Sequence, residues 1–175
     1  MKKIIIASFL VLGLVKVSAQ NVTLNVRLQP IQTLVVNNAQ KVVNLDYVTK
    51  DDYKNGVSST NTDHLNIYST GGFQVKVKSA TSALNNTASG KNIEANSIGI
   101  KATAGSDAIT GAQYSQNVKL SATETTLVTS TTGGVDKKIS IEYQGAGADA
   151  YLNNYVAGQN PTVYTTELTY TIVSQ

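Results

Sequence analysis

Two alternating runs of residues meet at a pair of glycines in the stretch Leu65-Asn-Ile-Tyr-Ser-Thr-Gly-Gly-Phe-Gln-Val-Lys-Val-Lys78. In the second run, Phe73, Val75 and Val77 face one side, and the polar residues between them face the other. This period-2 alternation is typical of a β-strand with one buried face. Because only a short, glycine-containing link separates the two runs, we predict a β-hairpin here.

Short alternating segments of the same kind continue on both sides of this stretch. We predict further strands at residues 31–36, 41–48, 93–102, 117–122, 125–129, 138–143 and 162–173. The polar residues 50–63 and 79–92 are interpreted as loops, and the small residues 145–158 as a loop with a helical turn. About ten strands at this spacing, in a chain rich in Thr, Val and Tyr, predict an all-β fold, an immunoglobulin-like β-sandwich.

The first residues have the features of an export signal. Lys2 and Lys3 precede an apolar run, residues 4–15, that is too short to span a bilayer, and Val17-Ser-Ala19 is a small-residue cleavage site. We predict a signal peptide over residues 1–19 and export through the periplasm to the cell surface or the medium. The chain has no cysteine, which excludes a disulfide or a lipid-modified cysteine anchor.

The exported part of the chain is close to electrically neutral. Lys2, Lys3 and Lys16, three of the 14 basic residues, leave with the signal, and the remaining basic residues equal the 11 acidic ones. A nucleic-acid partner is not expected, since it would need a basic surplus. No second hydrophobic span follows the signal, so we expect no integral membrane span in the mature chain.

The residues that catalysis or metal binding would need are scarce. His64 is the single histidine, which excludes a metal site with two histidine ligands. The absence of cysteine excludes a thiol nucleophile. We expect His64, beside Asp63, to pack at the surface or at a strand edge. Asp51-Asp52 lacks the spaced ligands of a cation loop, and Gly133-Gly134 lacks the downstream residues of a phosphate loop. We therefore predict no enzyme activity and no catalytic, cofactor or metal site.

The segment that opens the mature chain, residues 20–30, is Gln-Asn-Val-Thr-Leu-Asn-Val-Arg-Leu-Gln-Pro. Its apolar side chains alternate with polar ones and share one face: Val22, Leu24, Val26 and Leu28. Pro30 cannot donate a ladder hydrogen bond and therefore marks a break before the next strand. Two interpretations remain open: a first strand of the chain's own sandwich, or a strand lent to the open sheet edge of another copy.

Both ends of the mature chain resemble those of chaperone–usher pilins, in particular the alternate, colonisation-factor-like major subunits, which also lack cysteine. The similar segments are residues 21–31 and the final strand, Tyr164-Thr-Thr-Glu-Leu-Thr-Tyr-Thr-Ile-Val-Ser-Gln175. The resemblance implies a structural pilus subunit that polymerises by N-terminal donor-strand exchange and supports adhesion. Residues 20–30 would then be the donor strand and residues 31–175 a single β-sandwich domain.

The resemblance also implies partners for the two ends. Copies of the same chain would receive Val22, Leu24, Val26 and Leu28 as the subunit interface. A periplasmic chaperone would pair with the last strand, at Leu168, Tyr170 and Ile172, before an outer-membrane usher takes the subunit.

The alternative function is a monomeric secreted binding module for glycans or surfaces. Tyrosine rings offer flat apolar faces with a polar tip, so a platform for sugar stacking would consist of Tyr143, Tyr151, Tyr155 and Tyr164. Deletion of residues 20–29 separates the two functions, since it should abolish only polymerisation if the segment is a donor strand.

Overall fold

The computed structural model describes residues 20–175, so the predicted signal peptide lies outside the described residues. The strands are β1 (Gln32–Val36), β2 (Ser58–Ser69), β3 (Phe73–Ser79), β4 (Ala83–Asn85), β5 (Asn92–Glu94), β6 (Gly99–Ala104), β7 (Gln113–Tyr114), β8 (Val118–Lys119), β9 (Thr125–Ser130), β10 (Gly134–Gln144) and β11 (Leu168–Ser174). One short helix, α1 (Lys50–Asn55), and two 3-10 turns, Asn38–Gln40 and Ala95–Ser97, complete the described regular structure.

Two larger antiparallel sheets enclose the core. The five-stranded sheet has the order β1-β2-β10-β6-β8, the four-stranded sheet has the order β11-β3-β9-β7, and β4 pairs with β5. Leu65 and Ile139 of the first sheet join Val75 and Leu127 of the second in one hydrophobic cluster. The prediction of an all-β chain is confirmed, and the arrangement is compatible with a β-sandwich.

The predicted hairpin between β2 and β3 is wrong, although both strands exist. β2 pairs with β1 and β10, whereas β3 pairs with β11 and β9, so the link between them crosses from one sheet to the other. The Ser69 hydroxyl donates to the Gly71 carbonyl at 2.7 Å, which tightens the crossing. A Cβ on Gly72 would lie 3.1 Å from the Ser130 carbonyl oxygen, so glycine allows the chain to pass close to β9.

Residues 41–48, predicted as a strand, form no regular secondary structure and belong to no sheet in the described structure. The alternation itself is present, because Val43, Leu45 and Tyr47 are half-buried and the residues between them are exposed. A side-chain pattern reports which face is buried, and it does not supply a hydrogen-bonding neighbour.

The predicted loop at residues 50–63 is also wrong, because it contains α1 and the first half of β2. A capping box starts the helix: the Asp52 amide donates to the Thr49 hydroxyl at 3.3 Å, and the Thr49 amide donates to the Asp52 carboxylate at 2.6 Å. The spacing Thr49-x-x-Asp52 was the available sequence signal.

The remaining predictions differ mainly in their boundaries. The strands predicted at 125–129 and 138–143 correspond to β9 and β10, and 31–36 corresponds to β1. The strand predicted at 93–102 is two strands, β5 and β6, with a 3-10 turn between them. Of the strand predicted at 117–122, only the two residues of β8 are paired, and the strand predicted at 162–173 is a continuous strand only from the start of β11. The short strands β4 and β7 were not predicted, and residues 145–158 form turns without a helix.

The two ends of the molecule differ. At the arch end, defined by Ile31 and residues 70–72 and 131–135, β1 begins and β11 finishes, since Gln32 pairs with Ser69 and Ser174 with Phe73. The helix end, defined by Val48, α1 and residues 145–156, lies where β2 begins and β10 finishes.

Candidate subunit-assembly site

The N-terminal segment, residues 20–30, lies outside every sheet and exposes its apolar face. Val22, Leu24, Val26 and Leu28 are between 78% and 91% exposed. In the described structure β1 begins only at Gln32, so this segment is not a strand of either of the chain's larger sheets. Exposed apolar side chains in a regular row are typical of an interaction surface.

The same chain has an edge along which most of the partly buried core residues lie. There the two larger sheets finish in β1 and β11, which approach each other. Residues 42–48 come after β1, and Val43 and Leu45 among them pack against the core. We call this side of the molecule the open edge. Its core-facing side chains are only partly buried: Leu34, Val36, Val43, Leu45, Leu168, Tyr170 and Ile172.

Comparison with the neighbouring strand shows what the open edge lacks. Tyr170 and Ile172 of β11 are half-buried, whereas Val77 and Val75, their register partners in β3, are at most 2% exposed. β3 has a strand on each side, and β11 has β3 as its only ladder partner among the described residues. One further strand beside β11 would therefore cover apolar side chains and pair free backbone groups.

The opposite edge is a poorer template for another strand. There the sheets finish in β8 and β7, each only two residues long, while β11 has seven. Short edge strands leave few backbone groups in a row for a new strand to pair with. β11 is therefore the edge best suited to strand addition.

A chain of hydrogen bonds beneath the open edge holds Tyr170 in place. The Gln40 side-chain amide donates to the Thr62 carbonyl at 3.0 Å, so its oxygen faces His64 Nδ1, also at 3.0 Å. Nδ1 then carries the proton, and His64 Nε2 accepts from the Tyr143 hydroxyl at 2.9 Å. The Tyr143 oxygen in turn accepts from the Tyr170 hydroxyl. The network connects β11 with β2 and β10.

Burial keeps these groups neutral. It lowers the pKa of His64 below its ordinary value, raises the pKa of Tyr143 to about 12 and holds the pKa of Tyr170 well above the usual range.

The expectation that His64 packs at the surface or a strand edge is wrong, since it is 2% exposed within β2. In β2, Asp63 has a φ of 52° and lies where the pairing with β10 shifts register. This bulge interrupts the alternation of buried and exposed side chains along β2, so the consecutive residues His64 and Leu65 are both buried.

The predicted tyrosine platform is not formed. Tyr143 and Tyr151 are buried, and the Tyr164 hydroxyl donates to the Asn154 carbonyl at 2.6 Å, which leaves Tyr155 as the exposed ring of the four. These four residues, on which the glycan-binding alternative depends, therefore do not present a row of exposed rings.

Side chains that would support other chemistry are not assembled within residues 20–175. No three or more His, Cys, Asp or Glu side chains in that part of the chain form a group that could hold a metal ion. The Asp52 carboxylate is occupied as a helix cap, which lowers its pKa through hydrogen bonds from the Thr49 and Val48 amides. None of the described helices is long and apolar enough to cross a membrane.

Comparisons with models of protein families and with curated proteins find no match to this chain. Its function is therefore inferred from the geometry of residues 20–30, called the donor segment in the proposal below, and of the open edge.

Proposed function

We propose that this protein is a structural subunit of a secreted surface fibre, and that it polymerises by lending residues 20–30 to the open edge of a neighbouring copy. The observation that carries the proposal is the coexistence, in one chain, of an unpaired segment with four exposed apolar side chains and an edge strand with partly buried apolar side chains. The donor would add a strand beside β11 and complete an immunoglobulin-like sandwich.

The energetics favour such a joint. Full burial of the four donor side chains contributes about 6 to 12 kcal/mol at about 1.5–3 kcal/mol each, as an upper bound. Each main-chain hydrogen bond to β11 adds about 0.5–1.5 kcal/mol. Together these terms are of the size needed to offset the free energy lost when two molecules associate, about 4–15 kcal/mol.

The geometry favours a neighbour over the segment's own subunit. Two hydrogen bonds fix residue 31 at the arch end: the Ile31 amide donates to the Thr70 hydroxyl, and the Thr70 amide donates to the Ile31 carbonyl, both at 3.0 Å. To reach its own β11, the segment would have to reverse at Pro30 and run parallel to that strand. Every ladder in the described sheets is antiparallel, and a neighbour's segment can adopt that direction.

The open edge also gives a reason for the partners that the pilin resemblance implies. An uncovered strand with apolar neighbours is prone to unspecific pairing before assembly. A periplasmic chaperone that covers β11, at Leu168, Tyr170 and Ile172, would prevent this until an outer-membrane usher delivers the subunit. The fibre would then support adhesion at the cell surface.

Substitutions within the donor segment test the proposal. The double variant Leu24→Asp with Val26→Asp places charge on the apolar face and should abolish polymers. The matched variant Thr23→Asp with Asn25→Asp places the same charge on the opposite face and should retain them. Polymers are detected as a heat-sensitive ladder on SDS gels and as fibres by electron microscopy.

Two results would contradict donor-strand exchange. One is polymer formation by both variants to the same extent. The other is a single gel band, with and without boiling, for the unaltered chain. Deletion of residues 20–29 provides a further check, because it should remove the ladder and leave a folded, aggregation-prone subunit.

A further inference from the structure

The link between the donor segment and the body of its subunit is short. Leu28 is the last apolar residue of the donor face, and β1 begins at Gln32. The three residues between them span about 10 Å at about 3.3 Å per residue. A donor strand that is bound by a neighbour therefore holds its own subunit's arch end close to that neighbour.

The direction of the donor decides which end of the neighbour is approached. β11 runs from the region of Ser79 towards the arch end, where Ser174 pairs with Phe73. A donor antiparallel to β11 runs the other way and leaves the acceptor where β11 begins. That region adjoins the helix end, because the Tyr164 hydroxyl, just before β11, donates to the Asn154 carbonyl at 2.6 Å. On the basis of the proposed function, the arch end of one subunit then faces the helix end of the next.

We propose that the helix end carries a docking surface for the arch end of a second copy of this chain. A cavity of about 490 Å³ lies there, with Val48, Tyr53 and Leu152 as its apolar lining and Thr49, Lys50 and Asp149 beside them. Val48 is 82% and Leu152 57% exposed. The surface adjoins the open edge, because Val48 is the last of residues 42–48, which border that edge.

The arch end supplies apolar side chains for this cavity. Ile31 and Val135 are 52% and 62% exposed. Apart from Val35, Val42 and Val163, every exposed large hydrophobic residue of the described structure lies in the donor segment, at the arch end or at the helix end. A head-to-tail polymer would cover all three of these surfaces. The remaining exposed residues stand singly, and single apolar residues on a protein surface are common and need no functional explanation.

The helix end is held rigid before any partner arrives. The Tyr47 ring packs against Tyr53 and Tyr151 at centroid distances of 5.3 and 5.1 Å. The Ala148 amide donates to the Lys54 carbonyl at 2.7 Å, and the Asp149 amide donates to the Tyr53 carbonyl at 2.9 Å. A surface that is already ordered loses little conformational freedom on binding, which favours docking.

Cross-linking between introduced cysteines tests the contact, and the natural absence of cysteine leaves no background. Polymers of the Ile31→Cys, Val48→Cys double variant are treated with a short bismaleimide. We expect covalent ladders that survive boiling. The matched control is Ile31→Cys with Val42→Cys, since Val42 is also exposed but lies about 20 Å along the chain from Val48 and should not cross-link.

The outcomes separate this inference from the proposed function. Heat-sensitive polymers that cross-link equally in both variants, or in neither, would overturn the docking surface and leave donor-strand exchange intact. If the unaltered chain forms no polymers, both proposals fail.

A second pair of variants measures what the contact contributes. Leu152→Ser should speed the dissociation of polymers about tenfold, because one partly buried apolar side chain is lost. Val35→Ser is the control, since Val35 is similarly exposed, at 55%, but lies on the side of β1 that faces away from the core and belongs to neither end. Equal dissociation rates for the two variants would overturn the docking surface.

Discussion

The substitution Leu24→Ala isolates the contribution of one donor side chain. Leu24 is 87% exposed in the subunit, so its truncation should change the free energy of unfolding by less than about 0.5 kcal/mol. Under the proposed donor-strand exchange, the same side chain would be buried in a neighbour's open edge. Truncation then removes three carbon groups at about 0.8 kcal/mol each, or about 2.4 kcal/mol in total. This loss corresponds to binding that is about 60-fold weaker.

A peptide assay measures this ratio directly. The acceptor is the chain beginning at Ile31, which keeps both hydrogen bonds between Ile31 and Thr70. Synthetic peptides of residues 20–30, with Leu24 or with the Leu24→Ala change, are titrated into it by calorimetry. A Thr23→Ala peptide is the control, since Thr23 lies on the opposite face and should bind almost normally. Equal affinities for all three peptides would refute the assignment of the buried face.

Three further predictions concern the fold. The folded-state pKa of His64 lies below its ordinary 6.5, so the stability contributed by neutral His64 is fully present above about pH 6.5. It declines as the pH falls towards the folded-state pKa, by at most about 1.4 kcal/mol per pH unit. Thermal unfolding of His64→Gln between about pH 5 and 7.5 should lack this pH-dependent component, and an unchanged slope of stability against pH would contradict the prediction. Tyr143→Phe leaves His64 Nε2 without its donor and should lower the free energy of unfolding in denaturant titrations by about 1–3 kcal/mol, whereas the exposed Tyr155 should tolerate the same change. Gly56→Ala should lower the free energy of unfolding by about 1–3 kcal/mol, because the φ of Gly56 is 82° and an added Cβ would lie 2.5 Å from the Gly145 carbonyl oxygen. Gly71→Ala is the control: an added Cβ there would have no neighbour within 4 Å, so the same denaturant titrations should show almost no change.

Side-chain alternation predicted several strands well but did not predict their partners. Phe73, Val75 and Val77 are buried on one face of β3, as their spacing indicates. Their strand nevertheless pairs with β9 and β11 instead of β2. Residues 41–48 show the same distinction, since the expected side chains face inward although no ladder forms.

His64 shows where local patterns stop being informative. A bulge places it inside the molecule, and its partners come from Gln40, 24 residues away, and Tyr143, 79 residues away. Such a network depends on contacts between distant segments, which a spacing rule cannot contain.

The sequence by itself determined the all-β character of this protein, the approximate positions of several strands, such as β1, β3 and β9, and the apolar face of residues 20–30, because each depends on the period of side chains along one strand. Only the tertiary structure decided that this segment lies outside its own sheets and that the side chains beside β11 remain half-covered. The physical reason is that an edge is a property of the whole sheet: whether a strand lacks a neighbour depends on how all the other strands have already paired.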